Sequence, residues 1–110
     1  MEIRLARKVA KICNSEREMW AKLGARNAEK LQQRLAELRG APDLEATKLL
    51  PAARCHELSG DRKGQLAVDL LHPKRLILVP DHDPPPTNDD GALDWRLVTR
   101  ILVVEIVDYH

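Results

Sequence analysis

The sequence predicts an α+β domain in which N-terminal helices pack on a small, mostly antiparallel sheet of four strands. Three observations predict it. Apolar residues recur at steps of three and four up to about residue 39. From about residue 54 they alternate or run in short blocks. Between the two regimes stand Gly40-Ala41-Pro42 and Pro51, which stop helices. Helices first and strands afterwards imply α+β rather than a parallel, doubly wound sheet. With 110 residues the chain forms one domain, 1–110, with a single modest core. It carries no internal repeat and no interdomain linker.

The elements follow in order. Leu5, Val9 and Ile12 predict a short helix over residues 4–12, with Arg4, Lys8 and Lys11 on another of its faces. Asn14-Ser15 is a break, and Ser15 with Glu18 three residues on has the capping-box pattern. A second helix runs from there to about Arg39, weakened by Gly24, which can divide it into two pieces. Ala28, Leu31, Leu35 and Leu38 form its apolar stripe, and Arg26, Lys30 and Arg34 a basic one. Residues 43–50 can form a further short helix, capped by Asp43 and stopped by Pro51. Strands are expected at Arg54–Leu58, Gln65–Leu70, Arg75–Val79 and Thr99–Val107. Ser59–Gly64 and His72-Pro73 supply the turns, Pro80–Gly91 a long loop, and Leu93–Leu97 a helical turn.

Net charge is +1, but it is unevenly spread. Residues 1–40 carry 10 Lys/Arg against 5 Asp/Glu, and residues 41–110 carry 8 against 12. A basic first third suits a polyanionic or acidic partner, or a well-solvated helix face. Cys13 and Cys55, far apart and outside any Cys-x-x-Cys, make no disulfide framework. Without a leader-like or membrane-length apolar run, a soluble cytoplasmic protein is expected, with no membrane partner.

Two stretches can carry chemistry. In Cys55-His56-Glu57-Leu58-Ser59-Gly60-Asp61-Arg62-Lys63-Gly64-Gln65, His56 lies on or near a strand and Arg62 and Lys63 follow in a turn. No Gly-Lys-Ser/Thr follows, so this is not a phosphate-binding P-loop. Cys55 and His56 point to opposite faces of a strand and cannot form a nucleophile–base pair. The second stretch is Asp108-Tyr109-His110, directly after the apolar run 101–107. If the strand continues, Asp108 and His110 share a face and Tyr109 takes the other, while the nearby α-carboxylate favours the imidazolium of His110. Arg75 opens an otherwise apolar strand. Asp81-His82-Asp83 is weak as a metal site, and no metal or cofactor is expected. His72 and His82 read as solvated, and Trp20 and Trp95 as core or interface residues.

Taken together, Cys55-His56-Glu57-Leu58, Gly60-Asp61-Arg62-Lys63-Gly64-Gln65, the Arg75 strand ending at Pro80, Asp94-Trp95 and Glu105-Ile106-Val107-Asp108-Tyr109-His110 carry a resemblance. Over roughly residues 50–110 the chain resembles the RelE superfamily of toxins, in its HigB-like, plasmid-maintenance killer-protein branch. The resemblance implies a toxin of a type II toxin–antitoxin pair that cuts mRNA in the ribosomal A site. It implies a helix-turn-helix antitoxin from an adjacent gene as partner, together with ribosome and mRNA. Carried onto this chain, it marks His56, Asp108, Tyr109 and His110 as catalytic and Arg62, Lys63 and Arg75 as phosphate-binding. Arg4, Lys8, Lys11, Arg26, Lys30 and Arg34 are expected to touch ribosomal RNA. The chain departs from the pattern at Ser59, where relatives carry a basic residue, and at Leu66, where they carry an aromatic. Metal-free cleavage by the substrate's own 2′-OH needs a base, an acid and cations at the phosphate, and these residue types supply all three. A ParE-like gyrase poison and a catalytically inert binding module are the alternatives.

Overall fold

The computed structural model describes residues 1–108. It is an α+β fold, as predicted, but its sheet has five strands rather than four. They are β1 (Glu2–Leu5), β2 (His56–Glu57), β3 (Leu66–Asp69), β4 (Lys74–Pro80) and β5 (Arg100–Asp108). The order across the sheet is β1-β5-β4-β3-β2. Among the described residues only the β1–β5 pair is parallel.

The extra strand corrects the helix expected at residues 4–12. Glu2-Ile3-Arg4-Leu5 alternates, and its partner is β5, with Ile3 opposite Ile101 and Leu5 opposite Val103. Bonds from Glu2 N–H to Thr99 O (3.1 Å) and from Ala6 N–H to Val103 O (2.9 Å) bracket the pairing. The helix α1 starts only at Arg7 and ends at Cys13. Arg4 therefore sits on a strand and not on a helical face with Lys8 and Lys11.

The long helix α2 (Glu16–Gly40) begins as its sequence predicts. Ser15 is extended, and its Oγ accepts the N–H of Glu18 at 3.3 Å. Gly24, at φ 77° and ψ 160°, breaks the helix, in a conformation that costs a residue with a Cβ far more than glycine. Asp43 Oδ1 accepts from Ala46 N–H (2.9 Å) before a 3₁₀ turn at Glu45–Leu49, and a second 3₁₀ turn follows at Pro51–Ala53.

Both helices pack on one face of the sheet. Ala28, Leu31, Leu35 and Leu38 of α2 and Val9 of α1 meet Leu66, Val68, Leu76, Leu78, Ile101 and Val103 in one buried aliphatic cluster. Each buried Leu or Ile contributes about 1.5–3 kcal/mol of transfer free energy. Strand alternation places Ala67 and Ile77 on the other face, yet they too are fully buried. β3 is thus covered on both sides, not half-buried as its alternation suggests. A register shift at Ile77/Leu78 leaves Val104 as the extra residue of β5.

Arg34 departs from the basic stripe expected on α2. It is 3% exposed. Its Nε donates to Asp69 O (2.8 Å), Nη1 to Glu37 Oε1 (2.8 Å) and Nη2 to Ala52 O (3.1 Å). It ties the helix to the end of β3 and to the second 3₁₀ turn, so it is not available to ribosomal RNA. The long loop is anchored as well. Arg4 pairs with Asp81 at 2.8 Å, and His82 Nε2 accepts the Thr99 N–H at 3.2 Å instead of pointing to solvent.

Candidate active site on the open sheet face

The face opposite the helices carries the first candidate residues. The register runs His56 opposite Ala67, Ala67 opposite Ile77, and Ile77 opposite Glu105. Facing partners share a side of the sheet, so these four form one row. Three strand spacings of about 4.8 Å put the backbones of His56 and Glu105 about 14 Å apart, with Ala67 and Ile77 as a buried apolar floor. Asp69, Arg75 and Val107 form the next row on the same face.

His56 is oriented by its own chain. Arg54 has φ 47° and ψ 48°, the left-handed region, where a residue with a Cβ is strained. Its carbonyl lies 2.6 Å from His56 Nδ1. A carbonyl only accepts, so Nδ1 carries the proton in this contact and Nε2 of the neutral ring is the proton acceptor. The neighbouring Cys55 is no nucleophile, because burial pushes its thiol pKa up, and Cys13 behaves likewise.

Arg62 belongs to the 3₁₀ turn Gly60–Arg62, and its side chain reaches across the sheet to β5. Nη1 lies 2.7 Å from Glu105 Oε1 and donates to Gln65 Oε1 at 2.9 Å. Lys8 of α1 approaches the other carboxylate oxygen of Glu105 at 3.0 Å. Hydrogen bonds from Arg62 and then Lys8 hold the Glu105 carboxyl below the usual carboxylate range, so it is ionised at neutral pH. Arg75 Nε stands 3.2 Å from Asp69 Oδ1 and Arg54 Nε 3.5 Å from Asp69 Oδ2. Oδ1 is buried and accepts no aligned hydrogen bond, so the Arg75 contact is charge pairing only. The face therefore presents His56, Arg54, Arg62, Arg75 and Lys8 against two carboxylates, a net positive surface. Glu105, Asp69 and Arg54 were missed as site residues. Glu105 had one sequence signal: it is the single charge inside the apolar run of the last strand.

The structure does not bring Asp108 to His56. Asp108 faces Lys74, with Oδ1 2.7 Å from Nζ. Alternation puts this pair on the same side as Leu76 and Ile106, which is the helix-packed side. Tyr109 and His110 lie outside the described residues. Lys63 is exposed in the turn, next to Arg62 but on the rim of a separate cavity. Of the expected ribosome contacts, Lys11 and Arg26 are exposed, Lys30 is partly exposed and bonded to Gln33, and Arg4 and Lys8 are exposed but ion-paired.

Trp20 is half exposed. Trp95 donates from Nε1 to Glu57 Oε2 (3.0 Å) and lies under the Lys48 ammonium. Among the described residues no cluster of His, Cys, Asp and Glu could hold a metal ion, and no helix is long and apolar enough to cross a membrane.

No protein-family model matches the chain, and no curated protein matches it in sequence. A solved structure does match in shape. It is a YoeB/ParE toxin from Agrobacterium tumefaciens, 14% identical, with a TM-score of 0.54 over the whole of both chains. The chain has the fold of that toxin.

Proposed function

We propose that this protein is the toxin of a type II toxin–antitoxin pair, of the HigB-like branch, and that it cuts mRNA on the ribosome without metal. One observation carries the reading. His56 is fixed by the Arg54 carbonyl with Nε2 as proton acceptor, on a sheet face ringed by Arg54, Arg62 and Arg75. Fold similarity to a YoeB/ParE toxin supports the toxin part of the reading.

In this reading an mRNA phosphodiester lies over the Ala67–Ile77 floor. His56 Nε2 moves the proton at one of the two reacting oxygens. The 2′-OH attacks phosphorus, the bond to the 5′ oxygen breaks, and the products are a 2′,3′-cyclic phosphate and a 5′-hydroxyl. Arg62 and Arg75 stabilise the extra charge on the non-bridging oxygens. A guanidinium has five donors, so a phosphate can be held without giving up the carboxylate that positions it. Tyr109 and His110 supply the second proton mover. Lys11, Arg26 and Lys30 face ribosomal RNA. The partner is a helix-turn-helix antitoxin, and the site of action is the cytoplasm.

Inducing the chain in cells and mapping the 5′ ends of mRNA tests the reading. New ends inside translated codons are expected. Intact mRNA with DNA breakage would instead identify a gyrase poison, and no effect an inert binding module.

A further inference from the structure

The turn at residues 60–64 carries two cations that diverge. Arg62 crosses the open face to Glu105, whereas Lys63 lines a cavity of about 390 Å³ between this turn and the long loop. That volume falls in the range of small-molecule sites, about 300–1,000 Å³. Its apolar walls come from Leu58, Leu66, Pro85 and Leu93. Pro80 and Ser59 line it as well, and glycine backbone supplies part of the wall. Gly64 and Gly91, at φ 91° and 82°, both line the cavity, and nothing stands within 4 Å of the place a Cβ would take at either.

Polar groups are few and convergent. The Glu57 carboxylate lines the cavity and is anchored by the Trp95 indole N–H at 3.0 Å. Thr87 lines the opposite, loop side. Lys63, exposed at the rim, forms no ion pair with a carboxylate among the described residues.

We propose that this cavity is a nucleobase subsite for the RNA substrate. The base enters between Leu93 and the glycine backbone, its own phosphate rests on Lys63, and the next phosphodiester along the strand lies under Arg62. The proposal builds on the ribonuclease reading and adds to it the means of base selection. A heterocycle suits the chemistry of the walls. It is flat and weakly polar on its faces, and hydrogen-bonds only at its edge. A carboxylate accepts but cannot donate, and guanine is the base whose edge offers it two adjacent donors, N1–H and the N2 amino group. Among the described residues the cavity has no aromatic wall, so the base is held by enclosure rather than by stacking.

The test uses amide NMR on the full chain, titrated with AMP, CMP, GMP, UMP and ribose 5-phosphate. The amides of Gly64 and Gly91 should move saturably with the nucleotides, most tightly with GMP. UMP, which offers N3–H alone, should bind about tenfold more weakly than GMP, the effect of one hydrogen bond to a charged acceptor. Ribose 5-phosphate should leave the Gly91 amide unmoved. Leu93→Phe, which fills the cavity, should weaken binding about tenfold. Thr87→Val keeps the volume and should weaken it several-fold, which covers a Leu93 variant that fails to fold. Equal shifts with ribose 5-phosphate, no shift with any nucleotide, or wild-type binding by both variants would overturn the subsite. The binding needs no ribosome. Nucleotide binding without mRNA cleavage therefore counts against the ribonuclease reading alone, and cleavage without nucleotide binding against the subsite alone.

Discussion

The two faces of the sheet are built on opposite principles. The helix-packed face is a continuous aliphatic layer from Val9 and Leu31 to Leu78 and Val103, with the polar groups Lys74 and Asp108 at its outer end. The open face has a floor of only two buried residues, Ala67 and Ile77, ringed by charges and His56. The first face supplies stability through area removed from water. The second holds two carboxylates and four cations close together, an arrangement that contributes little net stability at a partly wet surface. Charges gathered where they stabilise little are what a phosphate-handling site requires, and the strained Arg54 that aims a carbonyl at His56 belongs to the same face.

This contrast can be broken by substitution. On the helix-packed face, Leu31→Ala or Leu78→Ala should cost about 2–5 kcal/mol in urea unfolding, through lost transfer energy plus a cavity. A loss under about 1 kcal/mol would mean that the face is loosely packed. Arg34→Met should cost about 3 kcal/mol, because Glu37 and two carbonyls lose their buried partner. The same variant should leave ribosome binding unchanged. Weaker ribosome binding in a folded Arg34→Met protein would return this residue to the surface stripe. Ser15→Ala should cost about 1 kcal/mol, as loss of a helix cap does. On the open face the sign reverses. Arg54→Gly should leave stability unchanged or raise it by up to about 1 kcal/mol, since glycine adopts φ 47° without strain. Cleavage should nonetheless fall, because a cation is lost and the His56 anchor loosens.

The pH dependence of stability sharpens the same point. The Glu105 carboxyl titrates below its ordinary value of 4.5 in the folded protein. Its contribution is complete above that value and disappears as pH falls through the folded one. Glu105→Gln should therefore lose less stability than wild type between neutral pH and pH of about 3. Parallel acid profiles for the two proteins would mean that the Arg62 and Lys8 contacts do not hold the carboxylate.

The helix-packed face was legible in the sequence because periodicity is local. The Leu31/Leu35/Leu38 stripe, the Ser15 cap, the Gly24 break and the hairpin at His72-Pro73 all depend on neighbours within a few residues. What was hidden depends on distant ones. β1 exists because Glu2–Leu5 meets Arg100–Val103 from the other end of the chain, and its Leu5 also satisfied a helical spacing. Arg34 fits a surface stripe at steps of four, and only the carbonyls of Asp69 and Ala52 make its burial tolerable. His56, Arg62 and Arg75 were legible as residues, but not the carboxylates that position two of them. Asp108 and His56 were assigned to one site, and the register separates them by turning Asp108 towards Lys74.

The most direct measurement compares the two faces in one assay. Purified His56→Gln and Asp108→Asn proteins would be added to ribosomes programmed with a defined mRNA, and the rate of appearance of new 5′ ends measured beside wild type. The account predicts that His56→Gln slows cleavage about 10²–10⁴-fold while the protein stays folded. Asp108→Asn should stay within a few-fold of wild type, as expected for an exposed ion pair. Wild-type cleavage by His56→Gln, or an equal loss in Asp108→Asn, would contradict the placement of the active site on the open face.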